Sequence, residues 1–257
     1  MDDDYFEDEK FSPFKSILGL LTFSTIIPIN VYTSIEYMTR MTWFWPIIHF
    51  FIGVLAAAIS FVCLDIFHLN LLFTSAIVYG FLMIITGFNH IDGVMDMADG
   101  VMVHGDSQKK LSVMKDHMVG AGGVMSAIII AFLTVAGIFN ILDYGFINGI
   151  IICEMVGKSS LLTTALTSKS IDGIGSYFIK ATNISNYVIS TVIVGVLCYL
   201  LGGLVGIFGL IGAMLAGAVI SLIAKKNFKV ANGDVLGTSN EVGRAIALLF
   251  MAIMLFY

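Results

Sequence analysis

Uninterrupted apolar runs, each long enough to cross a bilayer, constrain this chain more than any other feature. A helix needs roughly 20 residues to cross about 30 Å of hydrocarbon. Such runs fall at 46–64, 69–88, 120–142, 145–166, 187–206, 207–224 and 241–257. They are continuously apolar and do not alternate residue by residue, which excludes a membrane barrel. With 58% hydrophobic and 12% charged residues, the chain also lacks the charges to clothe a soluble core. The expected fold is all-α: a multi-pass integral membrane helical bundle of about seven transmembrane helices, with residues 11–257 as a single membrane-embedded domain. The apolar segment from Phe11 to Pro28 is short for a crossing, carries Lys15 and ends at a proline, so a re-entrant or interfacial helix is expected there.

Six acids in the first nine residues supply most of the net charge of −5, and residues 1–10 read as a solvated acidic tail. They lack the basic segment and cleavage site of a secretory signal. Cys63, Cys153 and Cys198 stand alone in apolar runs, as small buried hydrophobes do. Lysine sets the orientation, because cytoplasmic loops collect it. Lys109, Lys110 and Lys115 follow the second run, Lys169 and Lys180 the fourth, and Lys225, Lys226 and Lys229 the sixth, with Arg244 just beyond. The intervening loops have none, so the three polar loops are expected to face the cytoplasm of a cell-membrane protein. The expected surroundings are the lipid bilayer and small-molecule substrates, with no nucleic acid.

The first polar loop reads HIDGVMDMADGVMVHGD, residues 90–106. If the second span continues past the bilayer, Asp92, Asp96 and Asp99 stand at i, i+4 and i+7 on one helical stripe. Like charges at that spacing repel, so a counter-ion is expected, and Mg2+ suits short oxygen ligands that bridge to substrate phosphates. The alternative is a solvated helix face, though such a face ordinarily mixes Lys, Glu, Ser and Gln. His90, on the other side of an ideal helix, reads as a structural or supporting residue more than a ligand. Downstream, LSVMKDHMVGAGG places Lys115, Asp116 and His117 before Gly120 and Gly123, where a glycine-rich helix start can receive phosphate or simply pack closely. Glu154 and Lys158 lie four apart within a span, as a functional site or a mutually neutralising pair. The third loop, VANGDVLGTSNEVGR, adds Asp234, Asn240, Glu241 and Arg244 and could close over the same site.

These stretches resemble the adenosylcobinamide-GDP ribazoletransferase family, also called cobalamin-5'-phosphate synthase. HIDGVMDMADG and LSVMKDHMVGAGGV are similar to its HLDGLADTADG and LEIMKDSRIGAYGV; LLTFSTIIPI, FWPIIHFFIG and GDVLGTSNEV also have counterparts, so the likeness covers most of the chain. It implies a Mg2+-dependent membrane enzyme. In that reaction the 3'-hydroxyl of α-ribazole, or of its 5'-phosphate, attacks the cobinamide-linked phosphate of adenosylcobinamide-GDP and GMP departs. The matching positions are His90, Asp92, Gly93, Asp96, Asp99, Gly100, Lys115, Asp116, Gly120, Gly123, Gly233 and Asp234. Within that reading Asp92, Asp96 and Asp99 hold the metal, with Lys115 and Asp116 also catalytic. His90, Gly120, Gly123, Lys158 and Asp234 bind substrate, and Asp116, His90 and His117 are the candidates for general base. The chain departs from the family at Ile26 and Lys158, where arginines are common, and near Asp106, where the family has a basic residue and Lys109 and Lys110 supply the charge here. Lysine lacks the bidentate fork of arginine. Two rivals are a CDP-alcohol phosphotransferase, whose DGxxAR and GxxxDxxxD pattern is missing, and a cation-coupled transporter using Glu154 and Lys158.

Overall fold

A computed structural model describes residues 11–116 and 118–257. The acidic tail at 1–10 and His117 lie outside the described residues. Eleven α-helices follow in order among the described residues: α1 Pro13–Ser24, α2 Ile35–Thr39, α3 Trp45–Phe61, α4 Leu71–Ile85, α5 Asn89–Met102, α6 Ser107–Met114, α7 Ala121–Asp143, α8 Asn148–Thr167, α9 Ile174–Ala181, α10 Ile184–Asn227 and α11 Gly233–Phe256. The sole sheet-like pairing among them joins Ser170 to Ala231. The all-helical membrane architecture agrees with the sequence.

The bundle is built around α8, whose residues from Gly149 to Ala165 are all buried. Lipid tails are as apolar as leucine, so helices in a bilayer are held by close packing and hydrogen bonds. Accordingly, α8 carries hydroxyls that reach its neighbours. Thr164 Oγ1 donates to the Gly217 carbonyl at 2.8 Å, and Ser239 Oγ lies 2.9 Å from Ser160 Oγ and 2.7 Å from Thr164 Oγ1. Small residues bring the backbones together: a Cβ on Gly53 would sit 2.8 Å from Ile151 Cα, and one on Gly217 would collide with the Ser160 carbonyl.

Five helical segments are long and apolar enough to span, and the bent pair α4–α5 makes a sixth. The seven expected are not reached on that count, and the difference lies in α10. That 44-residue element breaks at Gly203 (φ 56°, ψ −135°), a conformation closed to residues with a side chain. Its two limbs fold back on each other. Tyr187 in the first limb meets Thr163 near the end of α8, while the Leu201 carbonyl accepts from Asn148 at its start; the second limb runs the opposite way, from Gly206 beside Ile152 to Gly217 beside Ser160. The boundary expected at 206–207 therefore falls at Gly203.

The segment Phe11 to Pro28 holds the 12-residue α1, about 18 Å long at 1.5 Å per residue and too short to cross, in line with the expectation for it. Two further expectations change. The second span does not continue straight into the aspartate stretch: α4 ends at Ile85, and α5 leaves it at 88° through Gly87 and Phe88, both at positive φ. The last span begins at Gly233, not 241, because the polar GDVLGTSNEVGR segment is helical and mostly buried against α5, α8 and α7. Cys63, Cys153 and Cys198 are buried and free, as expected.

The lysine-bearing loops meet at one end of the bundle. The Lys169 carbonyl accepts from Ala231 N–H at 2.7 Å, and Lys110 Nζ donates to Asn227 Oδ1 at 2.8 Å. The hairpin itself is testable. A Cβ on Gly206 would overlap the Cys198 carbonyl, whereas one on Gly80 would meet nothing within 4 Å. Gly206→Leu is expected to cost about 3 kcal/mol or more, read as a lowered thermal midpoint in detergent, with Gly80→Ala close to neutral.

Candidate active site

At the lysine-bearing end, α5 packs along the first turns of α11. A Cβ on Gly93 would lie 2.7 Å from the Asp234 carbonyl, and Thr238 Oγ1 donates to the Gly93 carbonyl at 2.9 Å. This contact brings Asp92 and Asp234 onto one cavity of 340 Å³, which His90 and Asn89 also line. The two carboxylates are within electrostatic reach of each other, and Lys115 is within reach of Asp234. Asn232 caps α11 and its Nδ2 donates to Asp234 Oδ2 at 2.6 Å, which fixes the carboxylate. The opposite wall is apolar. Phe23 from α1, Trp45 from α3 and Phe178 from α9 form a cluster with ring centroids 4.8 to 6.3 Å apart.

The aspartate stripe divides. Asp99 is seven residues from Asp92, about 10 Å along the helix, and both its oxygens are engaged. Oδ2 accepts from Gly120 N–H at 2.6 Å and Oδ1 from Gly123 N–H at 2.7 Å. The N–H groups expected to receive phosphate are thus bonded to Asp99, which caps α7. Asp96, half-buried, lies between the two ends of the stripe. Asp116 is exposed and accepts from Met118 N–H at 3.1 Å, a local turn contact. Gly93 and Gly100 serve packing: a Cβ on Gly100 would press on Met114 and Phe228.

Among the described residues no three His, Cys, Asp or Glu side chains gather as a metal cage. Two carboxylates facing one cavity suit a different donor set, a hard cation that takes one or two carboxylates and completes its shell with water and substrate oxygens.

Behind the cavity lies a buried ionic network. His49 Nδ1 donates to Glu154 Oε1 at 2.6 Å, Arg244 Nη2 lies 2.8 Å from Glu154 Oε2, and Arg244 Nη1 donates to Glu241 Oε2 at 2.9 Å; all four side chains are fully buried. Glu154 therefore pairs with Arg244 and His49, and Lys158 turns elsewhere. Lys158 Nζ lies 2.9 Å from His90 Nε2 and 5.0 Å from the centre of the Trp45 ring. It stands behind the cavity wall, not in it, with His90 between. The formal charges of Glu154, Glu241, Arg244 and Lys158 sum to zero. Arg244 and Glu241, expected in a loop, are buried in α11, and His49, Phe23, Trp45 and Phe178 belong to no sequence motif that marks them as part of the site. A histidine in an apolar run is the one visible signal that a buried partner exists.

Residues 16–252 match the sequence profile of the family described as cobalamin-5-phosphate synthase. The chain is 32% identical to an adenosylcobinamide-GDP ribazoletransferase of Methanosarcina barkeri, covering 94% of this chain and 92% of that protein. It is 31% identical to that of Pyrococcus abyssi (92% and 97% covered) and 30% identical to that of Clostridium botulinum strain Alaska E43 (91% and 96%). No solved structure matches.

The division of the stripe predicts different consequences for its ends. Asp99→Asn is expected to lower thermal stability by about 1–2 kcal/mol, the worth of a helix cap, while Asp92→Asn leaves it unchanged; equal effects in a melting assay would refute the division. Arg244→Met strands two buried carboxylates and is expected to cost about 3–5 kcal/mol, most of it regained when Glu154→Gln and Glu241→Gln are added.

Proposed function

The chain belongs to the cobalamin-5-phosphate synthase family, a family of membrane transferases of cobalamin synthesis, and on that premise we propose that it joins adenosylcobinamide-GDP to α-ribazole or its 5'-phosphate with release of GMP. The observation that carries this reading is the meeting of Asp92 and Asp234, from two different helices, on one cavity at the lysine-bearing end. The lysine distribution supports placing that end on the cytoplasmic side of the cell membrane.

The reaction forms a bond from the acceptor's ribose 3'-oxygen to the cobinamide-linked phosphorus and breaks the bond from that phosphorus to the GMP oxygen. The hydroxyl proton passes to water or to the departing GMP phosphate as the new ester forms. Charge accumulates on the transferring phosphoryl and on the departing GMP, so electrostatic neutralisation is the main requirement. Asp92 and Asp234 would hold Mg2+, with Asp96 beside them on the stripe. The ion supplies Lewis-acid stabilisation of the phosphate oxygens when bound. Lys115, exposed at the end of α6 and within electrostatic range of Asp234, would offer its ammonium to the diphosphate. Asn232 holds Asp234 in place and Lys158 holds His90. Asp99, Gly120 and Gly123 set the position of α5 against α7. Glu154 and Lys158 are occupied within the protein, which supports a transferase over an ion-coupled carrier with those residues as its site.

Purified protein in liposomes, given both substrates and Mg2+, is expected to release GMP and a cobalamin product. Chelation of the metal stops turnover. Asp92→Asn and Asp234→Asn each reduce turnover at least about a hundredfold without loss of folded protein. Well-folded wild type that forms no product with either acceptor would sink the assignment.

A further inference from the structure

The cavity is small and two-faced. Its 340 Å³ lies at the low end of the roughly 300–1,000 Å³ typical of small-molecule sites. That is room for one nucleoside and far too little for a corrinoid with its appended nucleotide. One face carries the carboxylates. The other is built from Phe23, Trp45 and Phe178, extended by Leu161, Ile174 and Leu236. Ser24, on the same face, has its hydroxyl turned back to the Leu20 carbonyl at 2.8 Å. Phe178 and Trp45 are almost fully buried, whereas Phe23 is 39% exposed and ends the cluster with ring surface open. Among the described residues, two buried ring nitrogens of lining side chains have no hydrogen-bond partner: Trp45 Nε1 and His90 Nδ1. With Lys158 against His90 Nε2, the proton of a neutral imidazole sits on Nδ1.

From these features we infer that the cavity is the acceptor subsite, in which the flat base of the acceptor nucleoside lies against the Phe23 end of the aromatic wall and its ribose points to Asp92 and Asp234. The inference rests on the transferase reading above and adds to it which substrate the cavity takes. Two nucleosides take part in that reaction, and the lining discriminates between them. Guanine has an amide N–H and an exocyclic amine that must find acceptors when buried. The aromatic rings offer none and Ser24 Oγ is turned back to Leu20, while on the opposite face the acceptors are Asn89 and the carboxylates, the latter reserved for the diphosphate. The benzimidazole of α-ribazole is apolar apart from one acceptor nitrogen, which matches a wall of rings with an unpaired indole N–H. The donor's corrinoid and guanylate then approach from outside, across the acidic rim. This gives α1 a purpose its length denies it as a span: it carries Phe23 to the rim of the cavity.

The chain has two tryptophans, Trp43 and Trp45, and Trp43 does not line the cavity. In the Trp43→Phe protein, reconstituted in nanodiscs, Trp45 is the sole tryptophan reporter. Saturable quenching by α-ribazole and none by GMP at equal concentration is expected. In steady-state assays Phe23→Leu is expected to raise KM for α-ribazole about tenfold, the order of one lost base–aromatic stack, with KM for adenosylcobinamide-GDP unchanged. Phe23→Tyr, which keeps the ring, restores the acceptor KM. Quenching by GMP in place of α-ribazole, or a raised donor KM with an unaltered acceptor KM in Phe23→Leu, would overturn the assignment while leaving the transferase reading intact. Saturable α-ribazole quenching in a wild type that never turns over would do the reverse, upholding a nucleoside cavity and removing the proposed reaction.

Discussion

The Glu154–Arg244 pair is the interaction on which the arrangement of the bundle depends. Both side chains are fully buried in a protein that lies in hydrocarbon, where an unpaired charge is costly. That cost leaves few registers open to α8 and α11. Arg244 must reach Glu154 on one side and Glu241 on its own helix, and His49 must come from α3 to the other oxygen of Glu154. Three helices are thereby held at one level. The hydroxyl contacts of Ser160, Thr164 and Ser239 continue the same register toward the lysine-bearing end.

One turn along α8 from Glu154, the register delivers Lys158 to His90 and Trp45. This is where the core and the candidate site become one structure. His90 begins α5, so its contact with Lys158 fixes the deep end of the helix that carries the aspartates. Trp45 begins α3 and backs the aromatic wall. A lysine in place of a forked arginine suits this role, because a compact ammonium can satisfy an imidazole nitrogen and a ring face together.

Physical pattern decides which of these features the sequence reveals. Apolar runs are legible because any helix in lipid must be apolar outside, and α3, α7 and α8 fall within a few residues of their expected bounds. The polar stretch before Arg244 misleads for the complementary reason. Hydropathy assigns a polar residue to water, whereas Ser239, Asn240, Glu241 and Arg244 are polar toward protein. The hairpin in α10 was visible as length, but its turning point rests on one glycine among many. The spacing of Asp92, Asp96 and Asp99 was legible as a stripe. What faces each carboxylate was not, since that follows from the bend at Gly87 and Phe88 and from the distant Gly93–Asp234 contact. Phe23 and Phe178 look like ordinary apolar residues of short helices until the fold sets them side by side.

The division of labour along α5 follows from its being a short helix fixed at both ends. The deep end is held by Lys158 through His90, and the far end by the bonds from Gly120 and Gly123 to Asp99. A helix pinned at two points can neither slide nor rotate, so the carboxylates between them are aimed by the scaffold. Asp92 then meets Asp234 without a large loop closure, and the repulsion between them is set up before any ligand arrives. Such a preorganised concentration of negative charge is what the proposed Mg2+ would neutralise while shared with a phosphate. A carboxylate committed to capping is therefore part of how the others work: Asp99 holds α5 in place, and Asp92 remains exposed at the cavity.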